Sequence, residues 1–181
     1  MRWREITVLF GAGAIATTST TLTPKVVQAE SEVQFICAHS FNRNNGLRYP
    51  TTVARTERGK VPIIQWTTAL TSRIMIMPQQ ACEEISPRFQ QAYDNGTLNF
   101  VTNGTMNGQP VICTTSGYGG TCRTLLMTLR SRDSSFALLI ALKDQLNARS
   151  AGPVYGHSDV LQLYLKVDID KFLQETPVME K

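Results

Sequence analysis

Charged residues are scarce in this chain, at 18% of 181 residues, and 18 lysines and arginines are nearly balanced by 14 acidic residues. With 42% hydrophobic residues, that composition excludes a disordered chain, which needs low hydrophobicity and high net charge. Glycine and proline, at 12 and 8, are too few and too aperiodic for a collagen-like chain. No apolar run approaches the ~20 residues that span a bilayer. Only two histidines are present and no Cys-x-x-Cys pair, so a zinc site lacks its ligand spacing. The G-x-S-x-G elbow, the P-loop, the H-E-x-x-H helix and the dinucleotide glycine fingerprint are all missing. What remains is a single globular domain of ordinary size.

The N-terminus reads as a leader. Arg2 and Arg4 precede an uncharged stretch, Ile6 to Ala16, and Val27-Gln28-Ala29 has the small-residue pattern read by a signal peptidase. Residues 1–29 are therefore expected to be a secretory signal peptide and 30–181 the mature domain. No cysteine sits at the cleavage point for a lipid anchor, and Arg2-Trp3-Arg4 is not a twin-arginine pair. Without the leader the chain carries 15 positive and 13 negative groups, a net of +2, too weak for nucleic-acid binding.

Cysteine usage agrees with export, because Cys37, Cys82, Cys113 and Cys122 all lie in the mature part and an even count implies two disulfides. Three connectivities are open. Cys37 and Cys113 both end apolar runs, which favours Cys37 with Cys113 and leaves Cys82 for Cys122. In a domain of this size the bridges add stability, typically ~2–4 kcal/mol each, without defining the fold.

Hydrophobic periods of two and about 3.6 place the elements. Val33 to Cys37 predicts a strand, followed by a polar loop from Asn42 to Gly46. Thr51 to Thr56 and Val61 to Thr67 predict a hairpin around Arg58-Gly59-Lys60, its second strand starting at a sheet edge because of Pro62. A helix is predicted from Pro78 to Asn95, open to division at Pro87, with Asn95-Gly96 as its stop. Leu98 to Asn103, Gln109 to Thr115 and Cys122 to Arg130 predict a meander turning at Asn107-Gly108. A second helix, Ser135 to Arg149, has Asp133 or Ser134 as cap and Phe136, Leu139, Ile140, Leu142 and Leu146 on its buried side, ending at Gly152-Pro153. Leu161 to Asp168 alternates as a half-buried strand. The expected fold is α+β: an antiparallel sheet of about six to seven strands, two helices packed on one face, and two disulfides.

Few residues suggest chemistry. Cys37 and His39 share a strand face, but a bridged Cys37 has no thiolate. His157 reads as a loop residue. Glu83 and Glu84 point about 100° apart on a helix, a solvated pair and not an acid/base couple. Asn95-Gly96-Thr97 and Asn103-Gly104-Thr105 match the glycosylation pattern and read as turns. Charge is less even than its total: Arg43, Arg48, Arg55, Arg58 and Lys60 face only Glu57 between residues 43 and 60. Arg43, Arg48, Arg58 and Lys60 are the candidate basic binding surface, suited to an anionic membrane or an acidic envelope protein. Trp66 is expected in the core.

Several motifs carry a resemblance. Phe35-Ile36-Cys37, Pro50-Thr51-Thr52-Val53-Ala54-Arg55, Val61-Pro62-Ile63-Ile64-Gln65-Trp66, Pro78 and Cys82, and Ile85-Ser86-Pro87-Arg88-Phe89-Gln90 occur in order. Asn95-Gly96-Thr97-Leu98, Asn107-Gly108-Gln109-Pro110-Val111-Ile112-Cys113, Cys122 and Leu125-Leu126-Met127-Thr128-Leu129 follow. From about residue 33 to 173 the chain resembles the cyanobacterial circadian oscillating protein family. The resemblance implies an exported or peripherally membrane-associated cyanobacterial protein whose abundance follows a daily rhythm; it brings no catalytic residues and no cofactor. The expected function is a non-enzymatic module of the periplasm or thylakoid lumen that binds a partner or a membrane surface. Alternatives are a structural or stress-related envelope protein without a discrete ligand and a hydrolase with an unrecognised site.

Overall fold

The computed structural model describes residues 33–155 and 161–179. The expected leader and His157 lie outside them. Strands β1 (Gln34–Asn42), β2 (Leu47–Thr56) and β3 (Gly59–Gln65) form an antiparallel sheet in that order, with β3 at an edge as Pro62 requires. The loop from Asn42 to Gly46 turns because its own side chains supply the hydrogen bonds. Asn42 Oδ1 accepts from Asn44 N at 3.0 Å, and Asn45 Oδ1 accepts from Leu47 N at 3.1 Å.

Helices α1 (Thr68–Thr71) and α2 (Pro78–Asp94) follow. α2 runs unbroken through Pro87, so the possible division does not occur. Its end is a Schellman turn: Gly96, at φ 64°, donates to Tyr93 O, and Thr97 N donates to Ala92 O. Then come β4 (Phe100–Met106), β5 (Gln109–Thr114), β6 (Thr124–Thr128), α3 (Asp133–Gln145), β7 (Arg149–Tyr155), β8 (Leu161–Lys166) and α4 (Ile169–Glu175). The β4–β5 turn has Asn107 and Gly108 at φ 50° and 77°, the primed geometry that Asn-Gly favours.

The expected single sheet with two helices on one face is corrected. The strands divide into a three-stranded sheet and a second antiparallel sheet of five, ordered β6-β5-β4-β8-β7. α2 packs on β1, β2 and β6, while α3 packs on β3, β4, β5 and β8, so each helix touches both sheets. One buried cluster joins the layers, from Phe35 and Trp66 through Phe89 to Ile112, Leu126 and Leu142. α2 also closes an edge of each sheet. Gln90 accepts from Phe35 N at 2.7 Å and donates to Val33 O at 3.2 Å, and Arg88 donates to Leu126 O at 3.0 Å.

Four local expectations change as well. α3 ends at Gln145, and Gly152-Pro153 lies within β7, an edge strand where proline is tolerated. Leu139, Leu142 and Leu146 are buried as expected, but Phe136 and Ile140 are 51% and 40% exposed. The run from Phe136 to Leu142 is apolar all round, so periodicity does not choose its buried side. α4 was not expected. Its cap, Asp168 accepting from Lys171 N at 3.2 Å, with Ile169, Phe172 and Leu173 buried, is a signature readable in sequence. Asn103-Gly104 is not a turn but lies within β4. Asn103 Oδ1 accepts from Leu163 N at 2.8 Å just beyond the last paired residues of β4 and β8. Gly104 leaves room for a disulfide: a Cβ there would lie 2.5 Å from Cys122 Sγ.

The favoured cysteine pairing is also corrected. The bridges are Cys37–Cys82 and Cys113–Cys122. Cys37 faces α2, and its register partner Thr52 meets Ser86, one turn beyond Cys82. Cys113, which the favoured pairing joined to Cys37, stands on β5 in the other sheet. Beside the first bridge runs a buried polar chain. The Cys82 carbonyl can only accept, so the Ser86 hydroxyl donates to it at 2.6 Å. Ser86 Oγ therefore accepts from the Thr52 hydroxyl at 2.9 Å, which leaves Thr52 Oγ1 to accept from Trp66 Nε1 at 3.0 Å. Trp66 and Thr52 are fully buried, so every proton in the chain has one direction.

Candidate functional site

The suggested catalytic groups do not assemble. Cys37 is bridged, which removes the thiolate of a Cys37–His39 pair, and His39 is exposed. Glu83 and Glu84 are exposed and accept from Gln79 and Gln80, one helical turn away, at 2.7 and 2.6 Å. Among the described residues no cluster of three metal-capable side chains occurs. A groove of about 380 Å³ between α4 and the α3–β7 connection contains Lys166, Asp168, Lys171 and Glu175 and no serine, cysteine or histidine. The buried hydroxyl of Tyr164 donates to Gly120 O at 2.9 Å. Burial raises its pKa above 10.0, the nearby Tyr118 adds to the rise, and a hydrogen bond with Thr102 opposes it.

The four basic candidates are not brought together. Arg43 and Arg48 stand at the β1–β2 hairpin, whereas Arg58 and Lys60 stand at the β2–β3 hairpin, and all four are exposed. The two hairpins lie at opposite ends of β2. The eight steps from Arg48 to Thr56 at ~3.3 Å each separate them by about 26 Å, beyond a Debye length of ~8–10 Å. Arg58 is moreover occupied: its guanidinium donates to Leu173 O at 2.7 Å and to Gln174 O, satisfying carbonyls at the end of α4. Lys60 contributes backbone, its carbonyl accepting from Met179 N at 2.8 Å.

The Arg43 and Arg48 end has features that sequence reasoning missed. Phe41 and Leu47 beside it are 57% and 55% exposed, and Met75 and Met77 are 66% and 71% exposed. α2 runs antiparallel to β1, since Cys82 meets Cys37 while Gln90 meets Val33 and Phe35. From Cys82 back to Met77 the helix rises about 7.5 Å, which brings Met77 level with His39 or Ser40. Period two puts Phe41 on the same face as Phe35 and Cys37, a pattern that reads as core. α2 starts too late to cover it. Gln65 anchors this end: it accepts from Asn42 Nδ2 at 2.9 Å, donates to Ser40 Oγ at 2.8 Å, and its backbone N–H meets Gln145 Oε1 at 2.8 Å.

Fold and surface together define a disulfide-stapled α+β module of two antiparallel sheets, with an apolar and basic end and no assembled catalytic group among the described residues. Two bridges point to an oxidising compartment, and no described helix is long and apolar enough to cross a membrane. The family model for circadian oscillating protein COP23 matches residues 34–174, and the chain belongs to this family. No curated protein and no solved structure matches it.

Proposed function

We propose that this chain is a non-enzymatic, exported module that attaches reversibly to an anionic membrane surface of the periplasm or lumen through its Arg43 and Arg48 end. The observation that carries this reading is the composition of that end. Between Val33 and Cys82 the only acidic residue is Glu57, at the far hairpin, while Arg43, Arg48 and Arg73 fall on the segments around the exposed Phe41, Leu47, Met75 and Met77. Basic groups near an anionic membrane contribute ~1 kcal/mol each, and apolar side chains among them add burial.

Vesicle sedimentation in phosphatidylglycerol–phosphatidylcholine mixtures tests the reading. Binding is expected at low salt and release as ionic strength rises. Arg43→Gln with Arg48→Gln should abolish it. Lys60→Gln should leave it unchanged, and Arg58→Gln should lower thermal stability without touching binding. Equal binding to pure phosphatidylcholine, or survival in the Arg43/Arg48 variant, would favour the envelope protein without a ligand. For export, intact mass after alkylation without reductant should give a chain starting at Glu30 with no labelled thiol.

A further inference from the structure

Four exposed residues follow one another along helix α3. Arg132 at its N-cap, then Phe136, Ile140 and Asp144, are spaced four apart, so they form one ridge on the helix surface. All four are exposed, the two apolar ones by 51% and 40%. The neighbouring row, Ala137, Ala141 and Gln145, is half-buried. With Ala69 and Leu70 of α1 it lines a groove of about 360 Å³. Alanine at two positions of that row leaves the groove open beside the ridge.

Both charged members of the ridge stand at the wrong end of their own helix. A helix carries partial positive charge at its N-terminus and partial negative charge at its C-terminus, yet Arg132 occupies the N-cap and Asp144 the last turn. Other cations gather at the first end. Arg130 is exposed, and its N–H donates at 3.1 Å to the carbonyl of Arg73, which lines the groove. From Arg132 to Asp144 the helix rises about 18 Å, so the two cannot neutralise each other within one chain.

We infer that this face of α3 is the contact surface for a second copy of the chain, packed antiparallel across a two-fold axis. An isologous contact requires a surface that complements itself when reversed, and the ridge does so at each of its positions. With the two helices centred at the level of Leu138, Phe136 stands level with the partner's Ile140 and Arg132 with the partner's Asp144. Asp133 and Lys143, next to the charged pair in sequence, are set opposite each other in the same register and are again of opposite sign. Each ridge packs into the groove of the other copy, which places Phe136 against the partner's Ala137 and Ala141. The helix dipoles then agree as well, because each Arg132 reaches the C-terminal end of the partner's helix and the cluster of Arg73 and Arg130 moves toward that end with it. A lipid surface or an unrelated protein would use the exposed Phe136 and Ile140 but has no need of charges in reversed order. At 13 residues α3 is about 20 Å long, so the contact falls below the ~1,200 Å² of stable complexes and the dimer is reversible. The inference goes beyond membrane attachment, uses other residues, and does not depend on it.

Sedimentation velocity of the oxidised chain over a concentration series from about 10 μM to about 1 mM tests this. The sedimentation coefficient should rise from monomer toward dimer across the series. Arg132→Asp alone and Asp144→Arg alone each set like charges against each other at both ends of the contact, and each should weaken self-association about tenfold or more. Mixing the two variants restores opposite signs at both ends, so the mixture should associate as the unchanged chain does. The double variant, Arg132→Asp with Asp144→Arg, should do the same. Rescue in the mixture also shows that both single variants are folded. Phe136→Ser should lose association with an unchanged urea midpoint, because the ring is 51% exposed in one copy. A chain that stays monomeric throughout overturns the inference, as does self-association that a single reversal leaves intact or that the mixture fails to restore. Binding to phosphatidylglycerol vesicles that Phe136→Ser removes from a monomeric chain would assign the face to lipid and overturn it too. Arg43→Gln with Arg48→Gln should leave dimerisation unchanged, so this proposal and membrane attachment can each fail alone.

Discussion

The two bridges close loops of very different length, and that difference fixes an order of stability. Cys37–Cys82 spans 45 residues and Cys113–Cys122 spans 9. In the chain-entropy model the unfolded state loses 2.1 + 1.5R ln n cal/mol/K, which gives about 4.0 kcal/mol for the first loop and about 2.6 kcal/mol for the second at 25 °C. Replacing Cys37 and Cys82 together by alanine should therefore cost about 1.4 kcal/mol more than replacing Cys113 and Cys122. Packing does not separate the two, since each bridge joins one fully buried cysteine, Cys82 or Cys113, to a half-buried one. With a urea slope of ~1–3 kcal/mol/M the first variant should unfold at a midpoint about 0.5–1.4 M below the second. Equilibrium urea unfolding of both oxidised variants measures this. An inverted order, or peptide mapping that recovers Cys37 joined to Cys113, would refute the reasoning.

Three further outcomes follow from the packing. Thr52→Val leaves the buried Trp66 N–H without its acceptor and Ser86 without its donor, and should cost ~1–3 kcal/mol in urea unfolding; an unchanged midpoint would mean that the chain contributes nothing. Leu139→Ala, at a fully buried position, should cost ~2–5 kcal/mol. Ile140→Ala, at 40% exposure, should cost well under that, and equal losses would place α3 wrongly. The pKa of Tyr164 is raised on folding, so its contribution to stability is complete below pH 10.0 and declines as pH rises through the folded value. Tyr164→Phe should flatten the alkaline limb of a stability profile, and an unaltered limb would count against the buried phenol.

Local signals carried far in this sequence because they need only neighbours. Asn107-Gly108 sets its own turn, Asn95-Gly96 ends α2, and Pro62 keeps β3 at an edge. An even set of cysteines behind a leader pattern was enough to expect two bridges, and the run of motifs from Phe35 to Leu129 was enough for the family. The short helix α4 was not expected, although Asp168 and the apolar residues behind it carry its signature.

Tertiary structure decided what depends on distant partners. Whether a strand joins one sheet or another is set by hydrogen bonds to segments far along the chain, so the eight described strands, divided between two sheets, could not be distinguished from a single sheet. Cysteine pairing followed from α2 lying across β1. Phe41 shares the strand face of Phe35 and Cys37, and only the start of α2 at Pro78 leaves it in solvent. A basic run continuous in sequence became two charged ends about 26 Å apart, because the β2 strand between them is extended. The physical reason is common to all of these. Sequence fixes the direction and period of each element, while burial, pairing and exposure depend on which other element arrives to cover it.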